Sequence, residues 1–141
     1  MRLLVVCVGK LKDPHLRALV DDYVGRLGHY APTEVLEVKD DEAGFRHIPE
    51  KYLVCALDEH GVEWNTASLR QFVEREMVSG RPGVAFLIGG ADGLSEAVLR
   101  RADLRLSLSR LTLPHRLARL VLCEQLYRVM TMIRGEPYHR E

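Results

Sequence analysis

The sequence lacks the features that mark several classes of protein. No apolar run among its 141 residues approaches the roughly 20 residues that a membrane-spanning helix needs. Met1 to Val8 passes straight into a strand-like run, without the cleavage region of a signal peptide. We therefore expect a cytoplasmic protein with no membrane segment.

Cysteines and histidines are few and scattered. The three cysteines are odd in number, far apart and each set in an apolar run, so we expect them to be reduced core residues: Cys7, Cys55 and Cys123. No Cys or His pair has the close spacing of a zinc site. The sequence thus predicts neither a disulfide framework nor a bound metal.

The sequence also has no excess of positive or negative charge. The chain has 20 basic and 20 acidic residues, which argues against a general nucleic-acid coat protein. The total hides an asymmetry, because residues 1–80 carry a net charge of −4 and residues 81–141 one of +4. An anionic partner should therefore meet the second half. The apolar share of 47% and the charged share of 28% are typical of one soluble domain, spanning residues 1–141.

Apolar periodicity predicts strands that alternate with helices. Short apolar runs, several of them β-branched, predict strands at 2–8, 33–39, 51–57, 83–88 and 104–108. The spacing of apolar residues by three and four predicts helices at 14–27, from Asn65 or Thr66 to Gly80, at 95–102 and from Pro114 to Gly135. Residues 58–65 are predicted to be a loop, and 40–50 leave room for one or two helical turns. This order predicts an α/β fold with a mostly parallel sheet and helices on both faces.

Binding sites of such sheets lie beyond the carboxyl ends of the strands. The fourth strand leads into Gly89-Gly90-Ala91-Asp92-Gly93, followed by a helix start at Ser95. This glycine loop (residues 89–93) is either a tight turn that needs positive φ or a place where the backbone approaches a ligand. It matches neither G-x-G-x-x-G nor a Walker motif.

Three further segments are candidates for a site. Leu106 to His115 is unusually apolar for a connection, and a buried loop must pair its backbone groups with its neighbours or with a ligand such as an adenine edge. Asp58-Glu59-His60 is either a polar turn or part of a site. The tail Pro137-Tyr138-His139-Arg140-Glu141 is either a frayed end or a peptide that binds phosphate and moves a proton.

Taken together, these segments resemble one family: the small, RlmH-type SPOUT methyltransferases that methylate N3 of a pseudouridine in large-subunit ribosomal RNA. The resemblance extends over nearly the whole chain. It rests on Val5-Cys7-Val8-Gly9-Lys10, Ala56-Leu57-Asp58-Glu59-His60-Gly61, Leu87 to Ser95, Ser107 to His115, Ala118-Arg119, Glu124-Gln125-Leu126-Tyr127-Arg128 and the ending Pro137 to Glu141. Two departures are a segment of only 40–49 where the family commonly has a longer helical one, and Ala91 in place of the usual proline.

The resemblance implies a C-terminal trefoil knot, in which residues 108–135 thread through an earlier loop, and S-adenosylmethionine as the co-substrate bound there, with no metal. The family's binding positions correspond to Leu57, Gly89, Leu108, Ser109, Arg110, Leu111, Thr112 and Leu113. The resemblance also implies 23S ribosomal RNA as the substrate, in the form of assembled ribosomes.

The tail residues Tyr138, His139 and Arg140 are expected to act on the substrate, with His139 as base or hydrogen-bonding group and Arg140 as phosphate clamp. We also expect a homodimer, because the family is dimeric and the last helix has apolar residues on more than one face, including Leu122 and Met132. Two alternatives stay open: a SPOUT methyltransferase that acts on transfer RNA, and a knotted domain that binds a nucleotide or RNA without catalysis.

Overall fold

A single five-stranded sheet forms the centre of the molecule. The structure, a computed structural model, describes residues 1–139 apart from the side chain of His139. The strands are β1 (Arg2–Val8), β2 (Thr33–Val38), β3 (Leu53–Glu63), β4 (Gly83–Ile88) and β5 (Leu104–Ser107). All neighbouring strands are parallel, in the order β2-β1-β4-β3-β5. The predicted parallel sheet is confirmed, while the threading expected for a trefoil knot stays a prediction.

Five helices connect and follow the strands: α1 (Pro14–Leu27), α2 (Asp41–His47), α3 (Thr66–Val78), α4 (Glu96–Arg101) and α5 (His115–Ile133), with a 3₁₀ turn at Pro137–His139. Each of the first four begins at a polar side chain that accepts a backbone N–H of its first turn: Asp13, Asp40, Asn65 and Ser95. Of the two predicted caps of α3, Asn65 is the one used. The helix boundaries therefore follow local capping chemistry.

Helices cover both faces of the sheet, as expected. Alternate residues of β1 point to opposite faces. Leu3, Val5 and Cys7 belong to a core that includes residues of α1, α3 and α5, whereas Leu4 and Val6 pack with residues of α2 and α4. The three cysteines are buried and free, as predicted, and burial raises the pKa of Cys55 to about 12.

The strand β3 is longer than predicted. Its pairing with β5 shifts register between Leu57 and Val62, after which Val62 and Glu63 pair with Leu106 and Ser107. A Cβ at Gly61 would lie 2.6 Å from the carbonyl carbon of Arg105, so only glycine lets the strand rejoin its neighbour. The prediction that residues 58–65 form a loop was wrong for 58–63, because Val62 and Glu63 pair with a strand more than 40 positions later and so continue β3 past the register shift.

The last helix is anchored by a buried ion pair. The guanidinium of Arg119 donates to Glu37 of β2 at 2.6 Å and to the carbonyl of Gly9 at 3.3 Å. Burial acts to raise the pKa of Glu37, but hydrogen bonds from Arg119, Leu11 and Arg17 together lower it. The connection after β1 is thereby fixed to β2 and α5.

Of the two apolar residues of α5 that a single sheet was expected to leave uncovered, Leu122 is fully buried within the chain, whereas Met132 is half-buried. Leu122 is covered because α5 packs against α1 and α3 as well as against the sheet. The apolar residue that α5 does expose is Leu117, at 38%. Among residues 1–139, no helix has the length and apolarity needed to cross a membrane.

Candidate functional site

A cavity of about 840 Å³ lies beyond the carboxyl ends of β4 and β5, beside the register shift of β3 after Leu57. Its walls come from the end of the first part of β3, from the glycine loop and from the connection between β5 and α5. This is the edge of the sheet where the strand order predicts a site. The lining residues that matter below are Leu57, Asp58, Glu59, His60, Gly89, Gly90, Leu94, Leu108, Ser109, Leu111, Thr112, Leu113, His115 and Ala118.

The glycine loop folds back on itself. The N–H of Gly93 donates to the carbonyl of Gly90 at 3.0 Å, and Gly93 has φ +73°, a conformation that favours glycine. A Cβ at Gly89 would lie 2.5 Å from the carbonyl carbon of Gly93. Gly89 is therefore needed for the turn itself, and the turn is what brings main chain to the cavity.

The connection of residues 108–114, here called the apolar loop, was expected to be buried. Leu108, Ser109 and Leu113 are half-buried, but residues 110–112 and Pro114 are exposed, with Leu111 exposed at 76%. The N–H of Leu111 donates to Ser109 Oγ at 2.9 Å. Within the described residues, the N–H groups of Arg110, Thr112 and Leu113 have no protein acceptor. The apolar loop thus presents both apolar side chains and backbone donors beside an open cavity.

Seven of the eight predicted binding residues line this cavity: Leu57, Gly89, Leu108, Ser109, Leu111, Thr112 and Leu113. Arg110 is the exception, since its side chain extends to Glu63, with Nε donating to Oε2 at 2.6 Å on the surface. Asp58, Glu59 and His60 also line the cavity, although they lie on β3 rather than in a turn. The sequence signal for these cavity-lining segments is their place at or after the end of a predicted strand.

The predicted tail residue Tyr138 lies away from this cavity. Its hydroxyl donates to Glu124 at 2.9 Å and is 3.3 Å from the hydroxyl of Tyr23. Its ring meets that of Tyr127 edge-on, with centroids 4.7 Å apart. We call Tyr23, Tyr127, Tyr138 and Glu124 the tyrosine cluster. Glu124 is nine positions along α5 from His115, roughly 13 Å at 1.5 Å per residue.

The environment of Tyr138 favours the neutral phenol. Burial, the hydroxyl of Tyr23 and the carboxylate of Glu124 raise the pKa of Tyr138 above its ordinary 10.0. The side chain of His139 and the whole of Arg140, both predicted site residues, lie outside the described residues. What the described part of the tail does is fasten the chain to α1 and α5.

Comparison with known proteins decides the family. The family model described as "Predicted SPOUT methyltransferase" matches residues 1–139. The chain belongs to the SPOUT methyltransferase family. It is 46% identical to a protein of Anaeromyxobacter sp. (strain Fw109-5) named Ribosomal RNA large subunit methyltransferase H, covering 99% of this chain and 100% of the relative. A protein of Sorangium cellulosum with the same name is also 46% identical, over 98% of this chain and 99% of the relative.

The solved structures agree on the fold. The crystal structure of a probable methyltransferase from Bordetella pertussis Tohama I superimposes with a TM-score of 0.61 at 12% identity, covering 92% of this chain and 96% of that one. At this identity the likeness concerns the fold alone. The five parallel strands and their helices thus have the same overall arrangement as in that structure.

The cavity fits the methyl donor of a SPOUT methyltransferase in size and chemistry. About 840 Å³ lies within the range of small-molecule sites, roughly 300–1,000 Å³. Leucine side chains of both walls offer apolar contact, and the tightly turned glycine loop brings main chain close. No group of three or more His, Cys, Asp or Glu side chains within residues 1–139 is arranged to hold a metal ion.

Proposed function

We propose that this chain is an S-adenosylmethionine-dependent methyltransferase that methylates N3 of a pseudouridine in 23S ribosomal RNA, acting in the cytoplasm on assembled ribosomes. The observation that carries the proposal is the cavity: seven of the eight residues that the motif resemblance assigned to the co-substrate line one space. The full-length likeness to relatives named ribosomal RNA large subunit methyltransferase H supports the choice of RNA.

In this proposal the glycine loop and the apolar loop hold the co-substrate between them. Leu57, Leu108 and Leu113 pack on its adenine, while N–H and carbonyl groups of the apolar loop bond the edge of that ring. Gly89 keeps the glycine loop closed on Gly93, so that backbone rather than a side chain forms this wall. Most of the binding contacts then come from main chain and apolar surface.

The reaction joins the N3 of the pseudouridine to the methyl carbon. The co-substrate supplies the methyl group, whose bond to sulfur breaks as the N3–C bond forms. N3 carries an imide proton, which must leave for the nitrogen to attack. We assign to His139 the role of the base that accepts this proton or of a nearby hydrogen-bonding group, and to Arg140 the holding of an RNA phosphate. Tyr138 fastens this peptide to the tyrosine cluster.

A homodimer completes the proposal. Tyr138 contacts Glu124, which is roughly 13 Å along α5 from the start of the helix at the cavity of its own chain, and we propose that His139 and Arg140 act at the cavity of a partner rather than at their own. Leu19 of α1, exposed at 48%, and Leu117 of α5 provide uncovered apolar surface on two helices that pack together. Light scattering at micromolar concentration should give twice the 16.0 kDa of one chain.

The proposed function is tested with purified protein, S-adenosylmethionine labelled in its methyl group, and ribosomes from a strain that lacks this enzyme. Label should appear in N3-methylpseudouridine of the large-subunit RNA, as read by mass analysis of digested nucleosides. Label in transfer RNA alone would identify a different SPOUT substrate. Binding of the co-substrate without transfer to any RNA would indicate a binding domain.

A further inference from the structure

The helix α2 lies unusually close to the sheet beside the glycine loop. Gly44, in the middle of α2, is buried, and a Cβ there would lie 2.8 Å from Val6 Cγ1 and 3.0 Å from Val38 Cγ2. Leu87, which lies two residues before the glycine loop, is 3.6 Å from the same position. A helix seated this closely on the sheet provides a fixed support for whatever its first turn contacts.

The first turn of α2 provides three consecutive carboxylates, and each has a different partner. Asp40 caps α2 itself, accepting from the N–H of Ala43 at 2.8 Å. Asp41 Oδ2 accepts from the N–H of Ser95 at 2.6 Å. Glu42 Oε2 accepts from Arg101 Nη2 at 2.6 Å, so two of the three contacts reach across to α4.

The contact of Asp41 lies at the exit of the glycine loop. Ser95 follows Gly93 by two residues, and Leu94 between them lines the cavity. The hydroxyl of Ser95 accepts from the N–H of Val98 at 3.3 Å, which begins α4. Ser95 is therefore held from both sides: its hydroxyl starts the helix, and its N–H is bound to a separate element.

We propose that Asp41 is a positioning residue that holds the exit of the glycine loop in the form that binds the methyl donor, an inference that rests on the proposed function. The bond is charge-assisted and joins segments 54 positions apart. Asp41 is half-buried, Ser95 is exposed and the bond between them is exposed, so losing the bond should change the local geometry of the loop more than the stability of the whole fold.

The test compares Asp41→Ala with Asp41→Asn, because the amide oxygen of asparagine can still accept from the N–H of Ser95. Calorimetric titration of S-adenosylmethionine into Asp41→Ala should give a Kd raised about fivefold, the loss of one exposed charge-assisted hydrogen bond. Binding stoichiometry and melting temperature should stay those of the wild type. Asp41→Asn should recover most of the affinity.

Glu96→Gln is the matched control. Glu96 is a carboxylate in the first turn of α4 whose partner, Arg100 at 3.7 Å, lies on the same helix. The substitution Glu96→Gln removes a carboxylate charge close to the glycine loop but leaves the contact between α2 and Ser95 intact. Its Kd for S-adenosylmethionine should therefore stay within about twofold of wild type. A Kd as weak as that of Asp41→Ala would overturn the proposal in favour of a general charge effect.

Hydrogen exchange without the co-substrate keeps this inference separable from the proposed function. Amides of residues 89–95 should exchange faster in Asp41→Ala than in wild type, with exchange in β1 and α5 unchanged. Unchanged exchange in 89–95, or an unaltered Kd in Asp41→Ala, would overturn the role of Asp41. A wild-type protein that binds no S-adenosylmethionine would overturn the proposed co-substrate and, with it, the assignment of Asp41 to that site.

Discussion

The cavity and the tyrosine cluster are separated by roughly 13 Å along α5, and they are built from different groups. Around the cavity the contacts are made by glycines, by apolar side chains and by the backbone of two loops. In the tyrosine cluster three phenol rings and a carboxylate contact one another through hydrogen bonds and ring edges. One region depends on the course of the main chain and the other on individual side chains.

In the proposed function, this difference separates the binding of the co-substrate from the transfer to RNA. A main-chain site for a co-substrate is insensitive to most side-chain truncations but sensitive to anything that alters the path of the loops. A peptide that is held by a few side chains should instead be sensitive to the truncation of those side chains. The comparison therefore predicts which changes should affect the binding of S-adenosylmethionine and which should affect transfer to RNA.

Removing Tyr138 to Glu141 should have the largest effect on transfer. We expect a loss of about 10²-fold or more in turnover on ribosomes, since the proposed proton acceptor and phosphate contact are both lost. Affinity for S-adenosylmethionine and the mass in light scattering should stay close to wild type. Full turnover by the shortened protein would show that the tail takes no part in transfer. Weakened binding of S-adenosylmethionine would show that the cavity and the tail do not act independently.

Gly89→Ala should have the next largest effect, on the other region. Its Cβ would lie 2.5 Å from the carbonyl carbon of Gly93, so the glycine loop must open, and we expect a Kd for S-adenosylmethionine at least about tenfold higher. Gly90→Ala is the matched change, because a Cβ there would make only an ordinary contact of 3.5 Å with Val8 Cγ1. Similar losses in both variants would mean that the turn at Gly89 is not what shapes the site.

Tyr138→Phe should have a smaller effect, confined to the tyrosine cluster. It removes the hydrogen bonds to Glu124 and Tyr23 but keeps the ring on Tyr127, at a cost of about 1 kcal/mol in the free energy of unfolding. Urea titration measures this cost, with Tyr52→Phe as a control outside the cluster. No loss of stability would show that the hydroxyl does not fasten the tail.

The same variant gives a pH test. Because the pKa of Tyr138 is raised in the folded protein, its contribution to stability is complete below the ordinary value of 10.0 and is lost as pH rises through the raised value. The tyrosinate absorbance removed by Tyr138→Phe should therefore be the part that titrates above pH 10.0. A difference curve with its midpoint at or below that value would contradict the burial of this phenol among acceptors.

Arg110→Ala should have the smallest effect, although the motif resemblance includes Arg110 in the site. Its side chain is exposed at 86% and paired with Glu63, so the cavity can use only its backbone. We expect the Kd for S-adenosylmethionine to change by less than about twofold. A loss comparable to that of Gly89→Ala would show that this side chain turns to the ligand, and the main-chain description of the site would be wrong.

Local patterns of the sequence were enough to predict the fold class and most of the cavity. The strands and helices follow from apolar spacing and from caps such as Asp13 and Asn65, which act within a few residues. The cavity follows from the rule that sites lie beyond parallel strands, together with segments that follow the predicted strand ends Leu57, Ile88 and Leu108. Both kinds of signal are contained in short stretches of chain.

The features that sequence reasoning missed depend on contacts between distant residues. Residues 58–63 extend β3 because Gly61 fits against Arg105, and Asp41 reaches Ser95. Leu122 is buried because two further helices cover α5. The residues near each of these positions in the chain do not indicate its distant partner. A short stretch of sequence is the same whether its side chains face solvent or a distant part of the chain.

In the proposed function, the glycine loop and the apolar loop hold S-adenosylmethionine with their main chain. The most direct test is to titrate S-adenosylmethionine into ¹⁵N-labelled protein and to measure the shifts of the backbone amide resonances. The account predicts the largest shifts in residues 89–93 and 108–113, and their loss in Gly89→Ala at the same ligand concentration. Saturable shifts centred on any other segment, with these two loops unaffected, would contradict it.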